Sequence, residues 1–289
     1  LGYMGRSPDE RVTRQIGREI CQRRGLKAML VGTIASLGRN YVITLEAING
    51  QTGEAIASEQ IEARGQEQVL QSLGQATIGL RRKLGESLST LRKYDAPIEQ
   101  ATTSSLEALN AYSKGLEQIY RGNRREAHPL FKRAVELDPN FAAAYNWLAW
   151  TYVNLEDYGQ AAQSAEQAFA LRERATGLEK LHISDIYYLW ATGDWEKQHE
   201  VDEQIKQLYP NDWTAHNSLA LSYFAMGQFE KTIEESREAV RLNPIESHTY
   251  FHLARGFRGL NRFDEAKAVI QQAQAQHLDF FYFRRELYG

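Results

Sequence analysis

Prolines of one phase, Pro139, Pro210 and Pro244, mark a spacing that runs through the second part of the chain. Segments set in that frame start at Ala108, Ala142, Glu179, Trp213 and Ser247, separated by 34, 37, 34 and 34 residues. Position 20 holds Ala127, Ala161, Thr232 and Ala266, position 27 holds Ala134, Ala168, Ile205, Ala239 and Ala273, and position 8 reads Gly115, Ala149, Ala220 and Ala254. Aromatic residues fill position 17 as Tyr158, Trp195, Phe229 and Phe263, and position 11 as Tyr152, Tyr223 and Phe257. A helix pair of this length cannot cover its own apolar stripe, so neighbouring pairs must stack, and small residues let their backbones approach. The third unit departs from the pattern. Ile186 stands at its position 8, Gln198 and Asp202 occupy usual core positions, and three residues are inserted around Ala175, Thr176 and Gly177.

The residues before the repeats have a different composition. Of the 31 aromatic residues only Tyr3, Tyr41 and Tyr94 precede Ser105, and the first 104 residues carry a net charge of +3 against −6 for the rest. Two domains are expected, at 1–97 and 105–289, joined by a linker at 98–104 where Pro97 and the Thr102-Thr103-Ser104-Ser105 cluster supply turn and helix-start chemistry. Ser7-Pro8-Asp9-Glu10 has a helix-start pattern, with Thr13 as an alternative start and Gly25 as the stop. Segments 28–37, 41–48 and 55–61 alternate as strands, and Asn49 to Gly53 joins the last two as a hairpin. A second helix is expected over 66–87, with Val69, Leu73, Ala76, Leu80 and Leu84 on one face. The fold class is therefore α+β: a small N-terminal α/β layer of about three strands and two helices, then an all-α array of about five helix pairs. Three strands make a thin sheet, which leaves room for a further element upstream of Leu1. A start at leucine reads as a piece of a longer polypeptide.

Several function classes are excluded or disfavoured. The net charge of −3 gives no electrostatic drive toward nucleic acid. No apolar run approaches the length of a membrane span. Phosphate loops, metalloprotease helices, nucleophile elbows and kinase catalytic-loop patterns are all missing, so the chain is read as non-enzymatic and without a cofactor or metal. Gly32 and Gly38 fit turns at strand ends rather than a phosphate cradle. His248 and His252 lie four apart on a predicted helix, but two ligands do not close a metal site. The single cysteine, Cys21, sits among Arg18, Arg23 and Arg24 and is read as buried beside Ile20. It permits no intrachain disulfide and marks no compartment. Arg81-Arg82-Lys83 suits a solvated helix end, where cations complement the carbonyl dipole.

The repeat pattern resembles the tetratricopeptide repeat, whose units place small residues at positions 8, 20 and 27 and proline at 32. The resemblance implies a right-handed superhelix with the first helix of every pair lining a concave groove. Positions 2, 5, 9, 12 and 13 face that groove in the family. They collect Tyr112, Leu116 and Tyr120, then Asn146, Trp150 and Asn154, then Ile183, Tyr187 and Trp190, then Asn217, Leu221 and Phe224, and finally His248, Phe251, Arg255 and Arg258. Such a surface is aromatic and amide-rich. Asparagines hydrogen-bond to a peptide backbone, rings supply contact area at low entropic cost, and Arg255 with Arg258 suits a carboxylate at one end. Roughly half of these rings are expected to pack between adjacent helices instead. Some chaperone-binding members clamp a terminal carboxylate with lysine and asparagine where Tyr112 and Leu116 stand here, which argues against that ligand.

The whole chain is similar to the C-terminal region of a group of bacterial serine/threonine protein kinases. The carrying segments are Met4 to Arg11, Arg18 to Arg23, Gly32 to Gly38, Leu84 to Leu88 and Ala101 to Leu109. Similar α/β modules, related to the N-terminal domain of TolB-like proteins, precede repeats in bacterial winged-helix regulators. The resemblance implies a sensory or docking region of a larger bacterial signalling protein, on either side of the cytoplasmic membrane. Two functions are open at this point: a scaffold that binds a peptide or protein segment in the groove, and a regulatory region whose α/β layer senses a small molecule for a fused kinase or transcription domain. The apolar Phe280-Phe281-Tyr282-Phe283 either covers the last repeat or pairs with a neighbouring molecule, and a homodimer, also through the α/β layer, is among the arrangements expected.

Overall fold

A computed structural model describes residues 12–85, 103–276 and 278. The chain divides into two units, Leu1–Leu106 and Glu107–Gly289. In the first, helix α1 (Arg14–Arg24) begins where the Thr13 hydroxyl accepts from the Ile16 amide at 3.3 Å and stops at Gly25, whose φ of 64° lies in the left-handed region. The start at Ser7 falls outside the described residues, as do residues 98–102 of the expected linker and the aromatic run at 280–283.

Strands β1 (Ala28–Leu37), β2 (Asn40–Asn49) and β3 (Ala55–Arg64) form an antiparallel sheet in that order. Gly38 turns β1 into β2 with a φ of +64°, whereas Gly32 sits inside β1 opposite Leu45, which corrects the expectation of a strand-end turn there. Between β2 and β3, Asn49 Oδ1 accepts from the Gln51 and Thr52 amides at 2.8 and 3.1 Å. A bulge at Ala47/Ile48 shifts the register of the pair. Helix α2 (Val69–Lys83), preceded by a 3₁₀ turn at Gln66–Gln68, lays Val69 and Leu73 against Ile43, Ile61 and Ala63. Lys83 at its end bonds the Ser58 carbonyl at 2.6 Å and pairs with Glu59. The outer part of β1 leaves Leu30, Ile34 and Leu37 exposed. Cys21 is buried, and at Gly50 the backbone passes so close that an added Cβ would lie 2.6 Å from Cys21 Cβ and from the Leu26 carbonyl oxygen.

The second unit is built from five helix pairs: α3 (Leu106–Tyr120) with α4 (Arg124–Leu137), α5 (Ala142–Asn154) with α6 (Tyr158–Ala170), α7 (Gly177–Ile186) with α8 (Trp195–Leu208), α9 (Trp213–Ala225) with α10 (Phe229–Leu242), and α11 (Ser247–Gly259) with α12 (Phe263–Ala275). The small residues of the repeat frame sit where helices touch. Ala127, Ala134, Ala149, Ala161, Ala168, Ala220, Ala239 and Ala273 are all fully buried. A Cβ on Gly115 would meet the Phe131 ring at 2.7 Å. Each pair turns on one residue of left-handed backbone, Gly122, Glu156, Gly193, Gly227 and Asn261, always position 15 of the frame.

The three extra residues of the third unit lengthen the connection into α7, which carries a 3₁₀ turn at Arg172–Arg174, and start that helix two residues early. Thr176 and Glu179 close a capping box there, so the insertion brings its own helix start. The helix ends in a π turn at Tyr187–Thr192.

One contact joins the first pair to the fifth. Arg124, in the first turn of α4, forms an ion pair with Glu246, which caps α11 by accepting from the His248 amide at 3.1 Å. Both side chains are largely buried, and the Arg124 guanidinium lies 5.2 Å from the Trp150 ring of α5. Burial alone would raise the Glu246 carboxyl; the Arg124 charge and the His248 bond outweigh it and hold the group at about 2.

Two outcomes are expected. Gly50→Ala has a backbone atom in its way and should lower the stability of the first unit by about 1–3 kcal/mol in urea unfolding; a change within about 0.5 kcal/mol would show that the hairpin moves aside. Arg124→Met leaves Glu246 buried without its charge partner and should cost about 3 kcal/mol at pH 7. Because the Glu246 value is depressed, the stabilisation is present above its usual value near 4.5 and is lost as pH falls toward 2. The gap between variant and parent should therefore narrow on acidification, and a gap independent of pH would contradict the ion-pair account.

Candidate binding cavity on the first helices

Position 5 of the frame is where the inner helices converge. Tyr112, Asn146, Ile183 and Asn217, from α3, α5, α7 and α9, all line one cavity of about 110 Å³, and Trp150 joins them from one turn further along α5. Tyr112 is wedged in place by an edge contact to Phe131 at 5.7 Å and a tilted one to Phe141 at 4.8 Å. Asn146 Oδ1 and Asn217 Oδ1 are buried and have no hydrogen-bond partner among the described residues. An unsatisfied buried oxygen of this kind costs free energy. Two of them belong to residues on the wall of one cavity.

The other expected groove residues lie elsewhere. Leu116 packs into the core of the first two pairs. Asn154 donates to the Trp150 carbonyl at 2.8 Å. Tyr187 stacks on Phe169 at 3.8 Å, and Trp190 stacks on Tyr158 at 5.7 Å. These two rings pack between helices. Leu221 is half-buried on α9. Arg255 lies over the Phe224 ring at 3.7 Å and 5.2 Å from that of Phe251, so it is held by rings. Arg258 is half-buried on α11, and Tyr120 is exposed at the end of α3. His248 faces Glu246 at 3.0 Å and the Trp150 ring at 6.1 Å, while His252 is buried and held down to about 3 by that burial and by the neighbouring His248 and Arg255 charges. No cluster of three or more His, Cys, Asp or Glu side chains suited to a metal occurs among the described residues.

Ala143 and Thr214, at position 2, also line the cavity, and the remaining wall comes from positions outside the groove rule. Trp147 and Trp213 add two large rings, Glu179 and Asp185 two acids, and His182 and Ser218 further polar groups. No lysine or arginine lines the cavity among the described residues. His182 is fixed from the start of α9, with Nε2 3.0 Å from Asp212 Oδ2 and Nδ1 3.3 Å from the Thr214 hydroxyl. Burial would raise Asp212, but the His182 bond and charge hold it at about 2.

Asp185 leads back into the odd core of the third unit. The Gln198 amide donates to Asp185 Oδ1 at 3.0 Å and also to Asp202, and the Ser218 hydroxyl reaches the other Asp185 oxygen at 3.5 Å. All three of Asp185, Gln198 and Asp202 are buried. Burial pushes Asp185 up to about 6, and burial together with the Asp185 charge pushes Asp202 well above the usual carboxylate range. Of the two carboxyls, Asp202 is thus the one more strongly driven toward its neutral form. The trio ties α7 to α8 where other units use small residues.

A second, wider depression of about 550 Å³ lies among Lys206, His216, Glu234, Glu235 and Arg241. Several of its charges are paired: Lys206 bonds Glu235 at 2.5 Å, His216 bonds it at 2.6 Å, and Arg241 pairs with Glu238.

The family described as Tetratricopeptide repeat matches residues 130–163 and again 214–246. A search of the curated proteins returned no match. Among solved structures, the thermophilic TPR protein TTC0263 of Thermus thermophilus is 22% identical, covering 62% of this chain and 96% of its own, with a TM-score of 0.47. MamA 41-end from Desulfovibrio magneticus RS-1 is 22% identical over 60% of this chain and 98% of its own, with a TM-score of 0.37. The APC/C hetero-tetramer Cut9-Hcn1 is 16% identical over 68% of this chain and 38% of the other, with a TM-score of 0.43. Residues 130–163 and 214–246 thus carry tetratricopeptide repeats, within an array of stacked helix pairs.

Proposed function

We propose that the helical array is a non-catalytic scaffold that holds a peptide or protein segment against its first helices, and that it serves as the docking region of a larger bacterial signalling protein. Tetratricopeptide repeats are as a rule interaction scaffolds, which supports the general reading. The observation that carries the finer one is the convergence of Tyr112, Asn146, Trp150 and Asn217 on one cavity with two unpartnered amide oxygens. A binding surface needs large rings to anchor a guest and polar groups to orient it, and both are here. The Arg124–Glu246 pair crosses from the first to the fifth helix pair. The guest is therefore a short segment or an inserted loop rather than a chain laid along all five units.

The signalling context rests on the resemblance of residues 18–23, 32–38 and 101–109 to kinase C-terminal regions. The alternative, a small-molecule sensor in the α/β layer, receives less support, because α2 covers the sheet with Val69, Ile43 and Ala63 all buried.

Peptides selected by display on the full chain should lose at least tenfold in affinity for the Asn146→Ala, Asn217→Ala double variant. That variant should keep the parent's melting temperature, since neither Oδ1 supports the fold. Selected peptides that bind parent and variant equally would place recognition elsewhere.

A further inference from the structure

We infer that the cavity between the first four helix pairs is a receptor for an alkylammonium head, and that the group it takes from a bound segment is a lysine side chain. This deepens the scaffold reading and rests on it. Three observations point the same way. The walls carry the rings of Tyr112, Trp147, Trp150 and Trp213, whose faces attract a cation. Glu179 and Asp185 put negative charge on the cavity, and no lysine or arginine among the described residues lining it neutralises that charge. The side-chain amides of Asn146 and Asn217 are without partners for their oxygens, so turning either one brings an acceptor to the guest.

The same inventory separates lysine from arginine. A guanidinium is held best by a carboxylate presenting two oxygens side by side. Glu179 uses Oε2 for the Thr176 cap, and both Asp185 oxygens are met by Gln198 and Ser218. What remains are single acceptors around a ring-lined space, which suits a compact ammonium. Size agrees. The cavity, about 110 Å³, falls below the ~150 Å³ that accepts a benzene ring, enough for an ammonium and the last methylenes of its stem. An acidic or phosphorylated guest would face Glu179 and Asp185 with no lysine or arginine among the described lining residues to meet it, and His182 is already engaged by Asp212.

The test uses the full chain labelled at its tryptophan indoles and titrated with acetyl-Gly-Lys-Gly-amide. The indole N–H signals of Trp147, Trp150 and Trp213 should shift while those of Trp190 and Trp195 stay in place. Acetylating the lysine nitrogen should weaken binding at least tenfold, and n-butylammonium, the same head without a peptide, should bind at least tenfold more weakly than the lysine peptide. Glu179→Gln keeps a capping side chain at the start of α7 and should weaken the lysine peptide about tenfold. Equal binding of the lysine and acetyl-lysine peptides would overturn the ammonium assignment, and n-butylammonium binding as tightly as the peptide would overturn the peptide source. If display-selected peptides still depend on Asn146 and Asn217 while lysine has no advantage, only this inference fails. If no peptide binds, the scaffold reading falls with it.

Discussion

The close approach of neighbouring helices at alanine and glycine is the constraint on which the array depends. Where position 8, 20 or 27 holds a methyl group or less, two backbones come together and the longer side chains on either side interlock. Ala127, Ala161 and Ala168 are buried without remainder, and Gly115 leaves room for the ring of Phe131. The bulky residues are thereby sent to the inner and outer faces. Tyr112, Trp147, Trp150 and Trp213 gather on the inner face because the contact positions are too tight to hold them.

The third unit shows what happens when that constraint is relaxed. Gln198 and Asp202 fill places that take small residues in the neighbouring units, and the fold meets them with hydrogen bonds from the Gln198 amide to Asp185 and Asp202 rather than with close packing. Such a network is costly unless its members are satisfied. Here Gln198 Oε1 and Asp202 Oδ1 stay without hydrogen-bond partners among the described residues. Asp185 belongs both to this seam and to the cavity wall. Scaffold and site are thus linked through one buried carboxylate.

How much of this could be read from the residues alone follows from the range of each interaction. The helix pairs, the three strands and the Thr13 and Gly25 limits of the first helix are set by local periodicity and capping, and they were legible. The shared turn position was not read, because Glu156 and Asn261 interrupt the glycines Gly122, Gly193 and Gly227 that hold it in the other pairs. Groove membership was half legible. A rule of fixed positions found Tyr112, Asn146, Trp150 and Asn217, but it also gathered Tyr187 and Trp190, which are taken up by Phe169 and Tyr158. It passed over Trp147, Trp213, Glu179 and Asp185, whose positions face inward only because of how successive pairs are rotated. That rotation comes from packing across units, and no single stretch of chain encodes it.

Stacked helix pairs ordinarily form a one-dimensional system, in which each unit touches only its neighbours and the ends fray first. The contact between Arg124 and Glu246 spans 122 residues and breaks that rule. It exists only while every intervening pair is in place, and its entropic cost grows slowly with the length of the closed loop. The two ends of the array are therefore bound to one another's fate. Loss of order in the last pair is felt at once by the first, which turns a zipper that would open from its tips into a cooperative body.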